Sequence, residues 1–231
     1  MFKVLVACEE SQAVCKAFRA RGAEAYSCDI QPCSGGHPEW HVQGDALALL
    51  QGGRFVTADG APHDVAAWDL LIAHPPCTYL TCARAVRLYD KAHNIKNPER
   101  YQKGLDAAQF FMTFWNAPVP RIAVENPVPM SVFGLPRPSQ KIEPYTFGDA
   151  WRKRTCLWLK GLPPLIPHTA PVEPLGLWVG ATSARRDPMV HYRYILPSNR
   201  DQKRRSKTFP GIARAMAEQW LYFMEAQCQI R

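Results

Sequence analysis

Cys77, in the stretch "HPPCTYL" (74 to 80), and Glu125, in "RIAVENP" (121 to 127), each follow a short apolar run and stand beside prolines. A thiol and a carboxyl held together suit one demanding reaction. The C5 carbon of cytosine is a poor nucleophile, but a thiolate adding at C6 makes C5 enamine-like, and an acid hydrogen-bonded to N3 stabilises the charge that develops. Carbon methylation then becomes feasible. A donor such as S-adenosylmethionine would need a carboxylate for its ribose hydroxyls and an acceptor for its adenine amine, and Asp29 and Asp45 stand at two earlier element ends. Each residue also has a plainer reading. A single cysteine is more often an inert core thiol, and acids at strand ends and helix starts often only cap them.

The elements that position these residues follow from apolar patterning. "KVLVA" (3 to 7), "EAYSCDI" ending at Asp29, "WDLLIAHPP" and "RIAVENP" read as buried strands. Between them, "SQAVCKAFRARG" reads as a helix capped by Ser11 and ended by Gly22, "GDALALL" as a helix starting after Asp45, and residues 98 to 115 as a longer helix. The alternation predicts an α/β fold with a mostly parallel sheet. Proline has no N–H for a ladder and disfavours a helical residue before it, so Pro75 and Pro76 end one strand and hold Cys77 in a stiff turn. Ligands of open α/β sheets bind at that carboxyl edge. His74 is given no role, because successive strand residues face opposite ways. Past residue 129 prolines are frequent; "KRTCLWLKGLPPL" reads as one more strand, and "FPGIARAMAEQWLYFMEAQ" as a final helix.

Composition narrows the class. The chain has 231 residues, 47% of them hydrophobic, which suits one substantial core with a small appended lobe. No run approaches the roughly 20 apolar residues of a membrane span, and "MFKVLVACEE" meets acid too early for a secretory signal. A cytoplasmic protein with eight reduced cysteines is expected. The net charge of +8 is uneven: residues 121 to 231 hold 17 basic against 8 acidic side chains, and residues 1 to 120 hold 11 against 12. The densest run, "RDQKRRSK", carries Arg200, Lys203, Arg204, Arg205 and Lys207 beside the aromatic "HYRY". It is the electrostatic footprint of a nucleic-acid binder.

These residues resemble the DNA cytosine-C5 methyltransferases, over most of the chain. Pro76-Cys77 is similar to the family's Pro-Cys nucleophile motif, and Glu125-Asn126 to its Glu-Asn motif. "FGDAWRKRT" resembles the Arg-x-Arg motif, and "FPGIARAMAEQW" the closing motif. The resemblance implies a Rossmann-like methyltransferase fold, S-adenosylmethionine as cofactor and DNA as partner. It implies Cys77, Glu125 and Arg154 as catalytic; Ala7, Ser11, Asp29, Ile30, Asp45 and Pro75 at the cofactor; and Pro76, Asn126, Arg152 and the basic run at the substrate. A catalytic core over 1–160, a recognition insert over 161–208 and a returning helix over 209–231 follow, as does a bacteriophage origin acting in the host cytoplasm. The short insert implies weak sequence specificity or a protein partner for target recognition. One departure stands out: "ACEESQ" occupies the place of the family's Phe-x-Gly-x-Gly loop.

Other chemistries compete. "HPPC" matches neither end of the Asn/Asp/Ser-Pro-Pro-Tyr/Phe turn of amino methyltransferases, and RNA cytosine methyltransferases carry their attacking cysteine where this chain has Glu125. A free cytosine nucleotide as substrate and an inactive DNA-binding module both stay open. Cys28, Cys33, His37 and His41 have a spacing that could hold zinc, but "CSGGHPEWH" is explicable as a loop, so no metal is expected. Reversing the charge of Arg204 and Arg205 is expected to weaken DNA binding and to reduce the slope of log affinity against log salt by about 0.9 for each phosphate no longer neutralised. Titrations at several salt concentrations check this, and an unchanged slope contradicts it.

Overall fold

The computed structural model describes residues 1–168, 170–174 and 206–229. Arg200, Lys203, Arg204, Arg205 and most of the expected insert lie outside the described residues. The strands are β1 (Lys3–Ala7), β2 (Glu24–Asp29), β3 (His41–Gln43), β4 (Gly53–Val56), β5 (Pro62–Val65), β6 (Leu70–Ala73), β7 (Ile122–Asn126), β8 (Gln140–Ile142) and β9 (Thr155–Lys160). The described helices are α1 (Ala13–Arg19), α2 (Pro98–Trp115) and α3 (Pro210–Gln229). Seven strands form one sheet in the order β3-β2-β1-β6-β7-β9-β8, while β4 and β5 form a separate hairpin. All neighbours from β3 to β7 are parallel; β9 runs antiparallel to both β7 and β8. This is the expected Rossmann-like α/β fold with a mostly parallel sheet.

Strand alternation divides the interior in two. Leu5, Ala7, Leu71, Ala73, Ile122 and Val124 share one side with Phe111 and Phe114 of α2 and with Trp158. Val4, Val6, Leu70, Ile72, Ala123 and Leu157 share the other with Phe18 of α1 and Met216 and Trp220 of α3. With both faces covered, the central strands are apolar throughout, which is why they read clearly in the sequence.

Three local expectations differ. Ser11 does not cap α1, whose preceding residue is Gln12. Cys8 and Gln12 both adopt positive φ, 59° and 56°, and the loop between them folds back so that the Glu9 carboxylate accepts from Val14 N at 2.6 Å and Cys15 N at 3.1 Å. The helix after Asp45 is a single 3-10 turn, Ala46–Leu49. It ends against Gly52 (φ +79°), where a Cβ would run into the Val65 carbonyl. Between it and β6 the chain makes the β4–β5 hairpin, which apolar patterning did not mark because its outward positions are exposed.

Helix α2 has the expected bounds: Pro98 opens it, Asn97 Oδ1 accepts from Arg100 N at 2.9 Å, and Gly104, Ala108, Phe111 and Phe114 form its buried stripe. Helix α3 is seated by Asp149 from "FGDAW", whose Oδ2 accepts from Gly211 N at 2.8 Å. A Cβ on Gly211 would meet the Phe147 carbonyl oxygen as well as that carboxylate. Gly211→Ala is therefore expected to destabilise by about 2 kcal/mol or more, since overpacking and a disturbed cap outweigh alanine's better helix propensity. Thermal unfolding should show a fall of roughly 4–8 °C; an unchanged midpoint contradicts the packing.

Candidate active site at the carboxyl edge of β6 and β7

Strands β6 and β7 pair in register, Leu71 with Ile122, Ile72 with Ala123 and Ala73 with Val124. One step further, His74 stands beside Glu125. His74 N donates to Ala7 O at 3.0 Å, carrying the sheet ladder one residue beyond β6. Pro75 and Pro76 then end the pairing, and the carbonyl of Cys77 accepts from Leu80 N and Thr81 N, both at 3.1 Å. The loop after β7 is fastened to this turn. Asn126, 1% exposed, donates Nδ2 to Pro75 O at 2.7 Å. Met130 N to Leu80 O (2.7 Å) and Cys82 N to Val128 O (2.9 Å) continue the seam. Cys77 and Glu125, 48 positions apart in the chain, thereby reach one charged site.

Glu125 is hydrogen-bonded to a group given no role from sequence: its Oε2 lies 3.1 Å from His74 Nδ1, and the two side chains are 14% and 10% exposed. Burial pushes the Glu125 carboxyl up. The His74 hydrogen bond and charge, then Lys153 and Thr155, overcome this and hold it below the usual carboxylate range. Burial pushes the Cys77 thiol above its ordinary value and the Glu125 charge adds to that, while Lys153 and Arg84 act the other way. Lys153 belongs to the face of Glu125 because antiparallel pairing sets Glu125 opposite Leu157, and Leu157, Thr155 and 153 alternate onto one side.

Arg154 and Arg152 stand elsewhere. The Arg154 side chain is 58% exposed, with Nε 3.3 Å from Glu143 Oε1. Arg152 lies over the Tyr145 ring. Lys207 Nζ donates to Ser34 Oγ at 3.2 Å, on the loop after β2. Next to the cysteine turn, the Arg100 guanidinium donates to Thr78 O at 2.8 Å and covers the Tyr79 ring. Burial lowers the Arg100 pKa, and the neighbouring positive charges of Arg84 and Arg87 lower it further. This basic group beside Cys77 was hidden by the near-neutral charge of the first 120 residues.

At the other end of the edge, Asp29 accepts from Gln31 N and Asp45 from Leu47 N, both at 2.9 Å. Burial first, then the charges of Asp29, Cys28 and Asp45, push the Cys8 thiol up to about 12. Ile30 is 76% exposed, and the buried Ala7 and Pro75 spend their carbonyls on His74 and Asn126. Two acids at the ends of β2 and β3 suit a nucleoside's hydroxyls and amine. The first turn of α1, whose N–H groups would otherwise suit an anion, is occupied by Glu9. Burial raises the Glu9 carboxyl, against the opposing effects of His74 and the two backbone donors. His41 is held by Ser27 Oγ and Gln31 O, and His37 by Glu39; no group of His, Cys, Asp or Glu suited to a metal occurs among the described residues.

No protein-family model matches the chain, and no curated protein is similar to it at a significant level. Among solved structures it is similar to an E. coli prophage-encoded protein described provisionally as a DNA modification methyltransferase, with a TM-score of 0.42 and 13% identity over 75% of this chain and 53% of that one. The chain thus spans about half of that protein's length. No helix among the described residues is long and apolar enough to cross a membrane.

The charges around Cys77 set its reactivity. Glu125→Gln is expected to speed iodoacetamide alkylation of Cys77 at pH 8 roughly threefold to tenfold, and Lys153→Met to slow it by a similar factor, the span of half to one pK unit. Mass spectrometry of the Cys77 peptide reads both. Equal rates in the three proteins contradict the arrangement.

Proposed function

We propose that the chain is an S-adenosylmethionine-dependent DNA methyltransferase acting at C5 of cytosine through a covalent Cys77 adduct. The observation that carries this reading is the joining of the Cys77 turn to the Glu125 strand end by the buried Asn126 hydrogen bond. A thiol and a carboxyl meeting at the ligand edge of a Rossmann-like sheet are what addition to a cytosine ring needs. The resemblance of Pro76-Cys77 and Glu125-Asn126 to motifs of the cytosine-C5 family supports it.

In this reading a cytosine leaves the stack and enters the edge between the β6 and β7 loops. Cys77, as thiolate, attacks C6; Lys153 and Arg84 favour the thiolate, and Glu125 engages N3 and the adjoining amine. Asp29 would hold the donor's ribose and Asp45 its adenine. The donor's own carboxylate has to be met away from the first turn of α1, because Glu9 takes those N–H groups. When bound, S-adenosylmethionine supplies an electrophilic methyl group. Arg84, Arg87 and Arg100 beside the cysteine turn are suited to the phosphates flanking the extruded base, adding to the run from 200 to 207. Arg152 and Arg154, held near Tyr145 and Glu143, are better suited to the DNA backbone than to the base. Recognition by the 161–208 segment, aided by a protein partner if the segment is insufficient, completes the proposal, as does action in a host cytoplasm.

Incubation of the protein with S-adenosylmethionine and unmethylated DNA, with dCMP as a parallel substrate, is expected to yield 5-methyldeoxycytidine in DNA and none with Cys77→Ala. Nucleoside mass spectrometry decides. Product from dCMP alone would move the substrate to the nucleotide pool, and no product from either would leave a binding module.

A further inference from the structure

The His74–Glu125 pair poses a problem for the chemistry just proposed, and its geometry contains an answer. The N3 of neutral cytosine is a lone-pair acceptor, so the group that faces it during addition has to bring a proton. A carboxyl held below its usual range brings none of its own at neutral pH. His74 Nδ1 is placed to pass one to it. Its Nδ1 is 3.1 Å from Glu125 Oε2, its side chain is 10% exposed, and its Nε2 is fully buried with no hydrogen-bond partner among the described residues. Ionisable groups surround the pair on every packed side: Glu9 from the β1–α1 loop, Lys153 from the start of β9, and Cys77 from the following turn.

Resting on the cytosine-C5 reading, we propose that His74 is the positioning residue of Glu125 and the store of the proton that reaches N3. Its Nδ1–H holds Oε2 and presents the carboxylate's second oxygen to the base. As the thiolate pair of Cys77 forms the C6–S bond, the C5=C6 π pair moves between C4 and C5. The Nδ1 proton of the His74 imidazolium passes to Glu125 Oε2, the carboxyl turns to bring that O–H to N3, and the C4=N3 π pair moves onto N3 as N3 takes the proton. Neutral imidazole and carboxylate remain. N3 returns the proton to the pair when the C6–S bond breaks. In this role His74 acts through Glu125 and need not touch the substrate.

The test isolates the addition step. Reversible addition at C6 exchanges the C5 hydrogen of cytosine with solvent, so loss of deuterium from DNA labelled at cytosine C5 can be followed without a methyl donor. His74→Asn places an amide N–H near the position of Nδ1 and removes the titrating ring; His74→Gln places it near Nε2. The wild type is expected to exchange with a rate that falls on the alkaline side as the pair loses its proton. His74→Asn should bind DNA within about twofold of the wild type, yet exchange on the order of 100-fold more slowly, with no alkaline fall. His74→Gln should be slowed at least as much. Exchange by His74→Asn at the wild-type rate, with the wild-type pH profile, overturns the proposal while leaving the cytosine-C5 reading in place. No exchange by the wild type removes that reading and this inference with it.

Discussion

One buried hydrogen bond, from the Asn126 amide to the Pro75 carbonyl, fastens the turn that carries Cys77 to the end of the strand that carries Glu125. The turn after β6 cannot continue the sheet, because two prolines remove its ladder donors. Without a tie to β7, the Cys77 turn would be a surface loop. A donor from the neighbouring strand's last residue reaches the carbonyl between the strand and the prolines, and the Met130–Leu80 and Cys82–Val128 hydrogen bonds extend the seam outward. Both partners are buried, so losing either would strand a polar group at a cost of about 1–3 kcal/mol. The parallel pairing of β6 and β7 brings the two ends level, and the covered faces of the sheet keep that pairing in place.

Ionisable groups line this tie. From α1 to β9 the order is Glu9, His74, Glu125 and Lys153, and each member has an opposite charge or an N–H donor beside it. Buried charges are tolerated only when so satisfied. The arrangement holds the Glu125 carboxyl below its usual range and pushes the Cys77 thiol above its own. Glu9 adds a further constraint. By filling the first turn of α1 it makes that helix end a protein contact instead of an anion site.

Legibility tracked burial. Strands β1, β2, β6, β7 and β9 and helices α2 and α3 were readable because they are long or lie deep in the structure, where an apolar run or stripe is obligatory. The short edge strands β3 and β8 and the β4–β5 hairpin were not, since three or four half-exposed residues carry no period. Ser11 looked like a cap because the residue type fits; the two left-handed residues at 8 and 12, which bring Glu9 round instead, leave no mark in a residue pattern. The basic cluster of Arg84, Arg87 and Arg100 was hidden in the same way, being averaged against distant acids.

The amino-acid sequence by itself determined the alternating α/β plan, the ends of β6 and β7, and the presence of a thiol, a carboxyl and an amide at those ends, because each follows from local residue chemistry. Only the tertiary structure decided which side chains meet. A parallel register sets His74 beside Glu125, and an antiparallel one aligns Lys153, and not Arg154, with the same face. Register between strands distant in the chain depends on packing both sheet faces at once, and a one-residue slip would send every one of these side chains to the opposite side.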